Sequence, residues 1–206
     1  MTVSDPAVYL ASRSPRRREL LRQIGVPFAE LHLRDATGRE RDVIEVAHDG
    51  EPPRHYVERI ARTKAQVGWR RMQERGLAEL PVLSADTEVV LDAVIYGKPH
   101  DAGAARTMLT RLSGRRHDVL TAVALRWQDD VEVALCVSHV TLRELSAREI
   151  DHYVATGEPF DKAGGYAIQG RAAAFVTHLE GSYSGVMGLP LAETAGLLAR
   201  FGRAVL

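Results

Sequence analysis

An apolar stretch with a polar centre constrains the fold of this chain most strongly. The segment Val82–Val90 begins and ends with β-branched apolar residues, which predicts a buried strand that continues into a second strand. Its centre is Ser84, Ala85, Asp86 and Thr87. A carboxylate and two hydroxyls are costly to bury unless other groups bind them. We therefore expect these residues at a strand end, either as ligand-binding groups or as an ordinary Asx turn.

Composition limits the classes of function. The 206 residues are 45% hydrophobic and 26% charged, which is typical of a soluble globular protein. Equal numbers of basic and acidic residues, 27 each, disfavour a nucleic-acid-binding protein. The single cysteine, Cys136, excludes an internal disulfide, and no Cys/His cluster has zinc-site spacing. Neither a signal peptide nor a membrane span is visible, so we expect a cytoplasmic protein that contacts no membrane.

The basic residues are almost all arginine. The three lysines of the chain are Lys64, Lys98 and Lys162. In a chain so rich in Arg, a remaining Lys marks either chance survival on the surface or a place that needs a compact ammonium group. Each of the three lysines lies in a segment that also shows another sequence feature of a possible functional site.

The first strand and helix place a cluster of arginines at a helix start. Residues 7–11 predict a strand, after which Ser14 can cap a helix and Pro15 suits its first position. Arg16, Arg17 and Arg18 then oppose the helix dipole, which favours anions at this end. Either a bound anion or a solvated basic helix end would account for them.

The remaining pattern alternates helices and strands. Lys64 lies on the apolar stripe of a helix from Pro53 to about Arg75, where it either reaches past the core or points into a cleft. Residues 161–170 and 181–185 are predicted glycine-rich loops. Further signals indicate a hairpin at 89–96, helices at 101–112 and 146–155, two antiparallel strands at 119–127 and 131–142, and a closing helix from about 188. We predict an α/β fold with a mixed, curved sheet flanked by helices, forming one domain over residues 1–206 with two lobes around a deep cleft.

Several motifs occur together and resemble the Maf family of nucleoside triphosphate pyrophosphatases. They are Leu10–Arg17, Ala61–Ala65, Ser84–Thr87, Gly97–Pro99, Asp161–Gly170 and Gly188–Leu191. Each motif alone is weak evidence for a family, but the motifs occur in the family's order and together span nearly the whole chain. The resemblance implies an inosine triphosphatase-like fold with a deep cleft, a nucleoside triphosphate substrate and a divalent metal cofactor, Mg²⁺ or Mn²⁺. It also implies a cytoplasmic homodimer.

The resemblance also implies roles for individual residues. Asp86 matches the catalytic general base of the family. Three positions match residues tied to base specificity in the pyrimidine-preferring branch, namely Arg16, Thr87 and Gln169. Five positions match polar cleft residues expected to hold the triphosphate, namely Ser12, Arg17, Lys64, Lys98 and Lys162. Water activated by a base and cations on the leaving pyrophosphate are the groups that this reaction requires.

Gln169 indicates the branch of the family. The segment Lys162–Gly170 resembles the branch that hydrolyses dTTP and UTP, whereas the sister branch acting on 7-methyl-GTP usually has Glu-Gly in place of Gln169 and Gly170. An amide both donates and accepts, so it can pair with the two-sided edge of uracil or thymine. A 7-methyl-GTP-type pyrophosphatase is the nearest alternative.

Two alternatives come from other classes of function. The family is associated with arrest of cell division, so a non-enzymatic binding protein that regulates division is one of them. A nucleic-acid module built on Arg13–Arg18 is the other, and the zero net charge counts against it. One departure concerns the metal. Family members commonly carry an Asp-Glu pair after the first helix and strand, but Arg34–Asp42 contains none, so we assign no metal ligand there.

Overall fold

The computed structural model describes residues 5–34 and 42–203 of the chain. Its strands are β1 (Val8–Leu10), β2 (Phe28–Glu30), β3 (Val82–Leu91), β4 (Val94–Tyr96), β5 (Arg116–Trp127), β6 (Asp130–Leu142) and β7 (Val176–Glu180). Its helices are α1 (Pro15–Gln23), α2 (Pro53–Glu74), α3 (Ala102–Leu112), α4 (Ala147–Ala155), α5 (Tyr183–Met187) and α6 (Leu191–Arg200). Two short 3₁₀ segments, Ala163–Gly165 and Arg171–Phe175, lie between α4 and β7.

The strands form one mixed sheet. Its order is β2-β1-β3-β5-β6-β7, and β4 pairs with β3 as a hairpin partner. β1 is parallel to β2 and to β3, while the remaining pairs are antiparallel. Parallel neighbours need a crossover connection, which α1 supplies between β1 and β2. The predicted α/β class with a mixed sheet flanked by helices is confirmed.

The centre of β3 has one open edge. β5 pairs with β3 over Val82–Val90. On the opposite edge, β1 pairs only as far as Leu83 and β4 pairs only from Val89 onward. No strand in the described part of the chain therefore pairs with this edge over Ser84–Glu88, and a cleft opens there.

This arrangement corrects one prediction. We expected Ser84–Thr87 at a strand end between two strands, but β3 runs through these residues without interruption. The polar residues are tolerated because the neighbouring strand, β1, ends before it reaches them. The cleft therefore lies beside the middle of β3 and not at the end of the strand.

Helices cover both faces of the sheet. α2 packs on one face through Val57, Ala61 and Ala65, against apolar residues of β3 and β5. α1 and α6 pack on the other face through Leu20, Leu21, Leu197 and Leu198. α3 and α4 close the end of the sheet near β7. None of the helices in residues 5–34 and 42–203 has the length and apolar character that a bilayer span requires.

Most predicted element starts are confirmed, and local capping decides those of α3 and α4. The Asp101 side chain accepts a hydrogen bond from Ala104 N, and Ser146 with Glu149 forms a full capping box. The loop predicted at 181–185 is wrong in part, since Ser182 accepts from Gly185 N and starts α5. β7 was not predicted, because exposed and polar residues interrupt its apolar alternation.

Candidate functional site

A cleft of about 980 Å³ opens beside the unpaired edge of β3. Its walls come from the start of α1, the segment before α2, α2 itself, the β3–β4 hairpin and the segment 161–169. Its described lining holds six Lys and Arg residues and four Asp and Glu residues. All nine site residues predicted from the sequence line this one cleft: Ser12, Arg16, Arg17, Lys64, Asp86, Thr87, Lys98, Lys162 and Gln169.

Lys64 joins two carboxylates at the cleft floor. Its Nζ lies 2.7 Å from Asp86 Oδ1 and 2.6 Å from Glu45 Oε1. Alternation along β3 turns Asp86 toward α2, and Lys64 lies one turn after the buried Ala61 on that helix. The sequence left open whether Lys64 reaches past the core or points into a cleft, and the structure shows that it points into the cleft.

Asp86 has one oxygen without a hydrogen-bond partner among the described residues. The residue is only 5% exposed, yet its Oδ2 makes no hydrogen bond within the described part of the chain. Since Lys64 orients the carboxylate through Oδ1, Oδ2 is the atom left to bind a water molecule or a cation. A buried carboxylate oxygen without a partner is costly and indicates a ligand.

Glu88 adds a second carboxyl group two residues along the same strand; the residue is half-buried, but its Oε2 is out of contact with solvent. Its Oε2 is also without a hydrogen-bond partner in the described chain. Burial and then the nearby charge of Asp86 raise the pKa of Glu88 to about 8. Burial also raises the pKa of Tyr56, with further contributions from Glu88, Asp86 and Glu45, so these carboxylates share one wall with the Tyr56 ring.

Arg17 is bound mainly by the protein itself. Its Nε donates to Gly188 O at 2.7 Å, and Nη1 donates to Ala85 O at 2.8 Å and to Ser12 Oγ at 3.3 Å. Nη2 donates to Thr87 Oγ1 at 3.3 Å. Four of its five N–H groups are therefore used. Burial lowers the pKa of Arg17, but the Asp86 charge opposes this effect.

Thr87 faces away from Asp86 and belongs to a polar network beneath the cleft. Thr121 Oγ1 lies 3.0 Å from Thr87 Oγ1 and 2.8 Å from Gly185 O. Gly188 has a φ of +110°, and a Cβ built there would lie 3.3 Å from Thr87 Oγ1. The network thus ties β3 to β5 and to the end of α5.

Gln169 lies on a segment that several contacts hold in place. Gln169 itself is exposed at the cleft mouth. Behind it, the Tyr166 hydroxyl lies 2.8 Å from His117 Nε2 on β5, and Ala167 N donates to the Tyr153 hydroxyl at 3.2 Å. Gly164 has a φ of +69°, and a Cβ there would lie 2.8 Å from Val89, so the segment approaches β3 as closely as glycine permits.

Two predicted cations meet a carboxylate of that same segment. Arg16 Nη1 lies 3.6 Å from Asp161 Oδ2, and Lys162 Nζ lies 2.8 Å from Asp161 Oδ1. Lys98 is exposed and makes no hydrogen bond or ion pair with the residues that the structure describes. The arginine cluster at the start of α1 is thus divided: Arg18 pairs with Glu30 at the surface, while Arg16 and Arg17 line the cleft.

Sequence reasoning missed two carboxylates of the site. Glu88 follows Asp86 by two residues in a strand, so period-2 alternation was a sufficient signal for it. Glu45 had no local signal, because only the tertiary fold brings the segment before α2 to Lys64. Residues 35–41, where the Asp-Glu pair was sought, lie outside the described residues. No group of three or more His, Cys, Asp and Glu residues that could hold a metal was found in residues 5–34 and 42–203.

Curated proteins similar to this chain match it over almost its full length. A relative in Aromatoleum aromaticum is 57% identical over 196 residues, covering 95% of each chain. Others in Nitrosospira multiformis and Nitrosomonas europaea are 56% and 52% identical over 198 and 205 residues. These cover 96% of each chain for the former, and 100% of this chain and 99% of the relative for the latter. All three relatives bear the name dTTP/UTP pyrophosphatase.

Structural similarity and a family match complete the comparison. The structure of the Staphylococcus aureus Ham1 protein aligns with a TM-score of 0.44 and 15% identity, covering 66% of this chain and 71% of that one. The family described as Maf-like protein matches residues 7–201. Because this match spans almost the whole chain and relatives of similar length are more than half identical, the chain belongs to the Maf family.

Proposed function

We propose that this chain is a nucleoside triphosphate pyrophosphatase that hydrolyses dTTP and UTP to the monophosphate and pyrophosphate. The observation that carries the proposal is the buried Asp86, whose Oδ1 is held by Lys64 while Oδ2 has no hydrogen-bond partner among the described residues, on the floor of a cleft lined by cations. The names and near-full-length identity of the relatives support the same activity.

Asp86 acts as the general base in this proposal. Oδ2 accepts a proton from a water molecule as that water attacks the α-phosphorus. The bond between the α-phosphorus and the oxygen that bridges to the β-phosphate breaks, and pyrophosphate leaves with that oxygen. The contact with Lys64 fixes the orientation of the carboxylate, so positioning of Oδ2 beside the attacking water is its main contribution.

Basic side chains around the cleft hold the triphosphate. Lys98 and Lys162 supply ammonium groups, of which that of Lys162 is paired with Asp161, and Arg16 lines the cleft with only a 3.6 Å contact to the same Asp161. Ser12 and Arg17 shape the cleft wall, because Arg17 donates to Ser12 Oγ and to main-chain carbonyls. Positive charge near the leaving pyrophosphate stabilises the charge that develops there.

Gln169 and Thr87 select the base. Gln169 lies exposed at the cleft mouth, where its amide can donate to a carbonyl of uracil or thymine and accept from N3–H. Thr87 acts indirectly: its hydroxyl contacts Arg17 and Thr121 and so fixes the part of the cleft wall next to Arg16.

A divalent cation, Mg²⁺ or Mn²⁺, fits the donor set. The cleft wall that holds Asp86 also carries the carboxyl groups of Glu45 and Glu88, and carboxylate oxygens are the ligands that these cations prefer. The absence of a three-ligand cluster among the described residues also suits Mg²⁺, which usually takes one or two carboxylates and completes its shell with water and substrate phosphates. When bound, the cation would neutralise charge on the phosphates. A homodimer and a cytoplasmic location stay predictions.

Pyrophosphate release from a panel of nucleotides tests the proposal. The panel holds dTTP, UTP, CTP, GTP, ATP and 7-methyl-GTP, each with Mg²⁺, with Mn²⁺ or with chelator. We expect release from dTTP and UTP that chelator abolishes. Release from 7-methyl-GTP instead would overturn the choice of branch, and no release from any nucleotide would overturn the enzymatic proposal in favour of a binding protein.

A further inference from the structure

Glu88 is a cleft carboxylate to which the proposed reaction assigns no role. It lies two residues after Asp86 in β3, so both side chains project from the same face of the strand. β3 has no strand partner on its cleft-side edge over Ser84–Glu88 within the described chain, so nothing in the sheet separates Glu88 from the cleft. Glu88 is among the residues that line the cleft.

The surroundings of Glu88 leave one of its carboxyl oxygens without a hydrogen-bond partner among the described residues. This oxygen, Oε2, is also out of contact with solvent. A Cβ built on Gly97 would lie 3.8 Å from this oxygen, so Glu88 reaches the segment that carries Lys98. Lys64, the cation of this wall, is already shared between Asp86 and Glu45.

A carboxyl group beside a bound triphosphate needs a partner of its own. Glu45 and Asp86 share Lys64, whereas Glu88 lines the same cleft without a hydrogen-bond partner among the described residues, and in its ionised form it would repel the phosphates. A cation that bridges carboxylate and phosphate oxygens removes this repulsion. Such a cation would give Glu88 Oε2 the partner that it does not have among the described residues, and it would leave Oδ2 of Asp86 to accept the proton of the attacking water.

We propose that Glu88, beside Asp86, is a carboxylate ligand for the divalent cation that accompanies the nucleoside triphosphate. This inference rests on the proposed function, because the substrate phosphates complete the coordination shell. It is consistent with the lack of a three-residue metal cluster in the described chain, since Mg²⁺ usually binds through one or two carboxylates and completes its shell with phosphate and water.

Direct measurement of Mn²⁺ binding tests the inference. The signal of free Mn²⁺ in electron paramagnetic resonance gives its dissociation constant for the wild-type chain, Glu88→Gln and Glu79→Gln, with and without α,β-methylene-dTTP. Glu79 is an exposed residue outside the cleft, so its variant is the matched control. With the analogue present, we expect Glu88→Gln to weaken Mn²⁺ binding at least about tenfold and Glu79→Gln to leave it unchanged.

A dissociation constant for Glu88→Gln within twofold of the wild-type value would overturn the inference. That outcome is also the one expected if Glu88 acts only as a neutral acid, because Gln has the same shape without the charge. Glu88→Asp, which keeps a carboxylate, provides a second variant and should bind Mn²⁺ more tightly than Glu88→Gln. Pyrophosphate release by the wild-type chain is scored separately, so failure of the proposed function is distinguishable from failure of the metal assignment.

Discussion

Lys64 Nζ lies 2.7 Å from Asp86 Oδ1 and, at the same time, 2.6 Å from Glu45 Oε1. One ammonium group thus connects α2, β3 and the irregular segment before α2. Its side chain is 13% exposed, so water screens these contacts little. The contact sets the direction of Asp86 and holds Glu45 over the cleft.

Replacing Lys64 by Met should release Glu45, because two carboxylates would then face each other without the cation between them. We expect amide hydrogen exchange over residues 42–50 to become at least about tenfold faster, and turnover of dTTP to fall. Arg70→Met, at an exposed position on the same helix, should change neither. Unchanged exchange over 42–50 in Lys64→Met would contradict the assigned link.

Replacing Arg17 by Lys should destabilise the fold. An ammonium group cannot reach the three cleft walls that the guanidinium contacts, so the carbonyls of Gly188 and Ala85 lose a buried donor. We expect the free energy of unfolding in urea to fall by about 2 kcal/mol. Arg18→Lys, which alters a surface pair with Glu30, should cost less than about 1 kcal/mol. If Arg17→Lys only raised KM for dTTP at full stability, Arg17 would be a phosphate ligand instead.

Replacing Gln169 by Glu should impair selection of pyrimidines. A carboxylate at neutral pH accepts but does not donate, so it cannot pair with a carbonyl of uracil or thymine. We expect kcat/KM for dTTP and UTP to fall about 10-fold to 100-fold, and the ratio of 7-methyl-GTP to dTTP hydrolysis to rise. Gln128→Glu, in the exposed β5–β6 turn, is the control. Equal kcat/KM values for the wild-type chain and Gln169→Glu would remove Gln169 from base recognition.

Acid should weaken the segment that carries Gln169 through His117. Burial lowers the pKa of His117 to about 4, against an ordinary value of about 6.5. The unfolded chain therefore takes up a proton that the folded chain does not, so this contribution to stability is full above pH ~6.5 and is lost as pH falls toward ~4. Between pH 7 and pH 4.5 the wild-type chain should lose about 2 kcal/mol more than His117→Gln. Parallel stability curves for the two proteins would show that His117 does not titrate in this way.

The sequence indicates local features of the fold well and indicates neighbour relations poorly. Capping by Asp101 and Ser146 is decided within four residues, and those helix starts were predicted correctly. The position of Asp86 was misjudged as a strand end, because the gap beside it depends on how short β1 and β4 are. No pattern around Val82–Val90 carries that information.

The same distinction applies to the site. Motif resemblance brought together nine residues that all line one cleft. It did not reveal that most N–H groups of Arg17 donate to other protein groups. One acceptor, the carbonyl of Gly188, lies far along the chain, so no local pattern indicates the contact. Glu45 entered the site only through its tertiary contact with Lys64.

Turnover of dTTP by Asp86→Asn, measured as pyrophosphate release with saturating Mg²⁺, tests the central claim most directly. Asn has the shape of Asp86 but cannot accept the proton of the attacking water. We predict that kcat falls by about 10³, a loss typical of removing a general base, while the thermal unfolding temperature does not fall. A variant that retained kcat within tenfold of the wild-type value would contradict the assignment of Asp86 as the base.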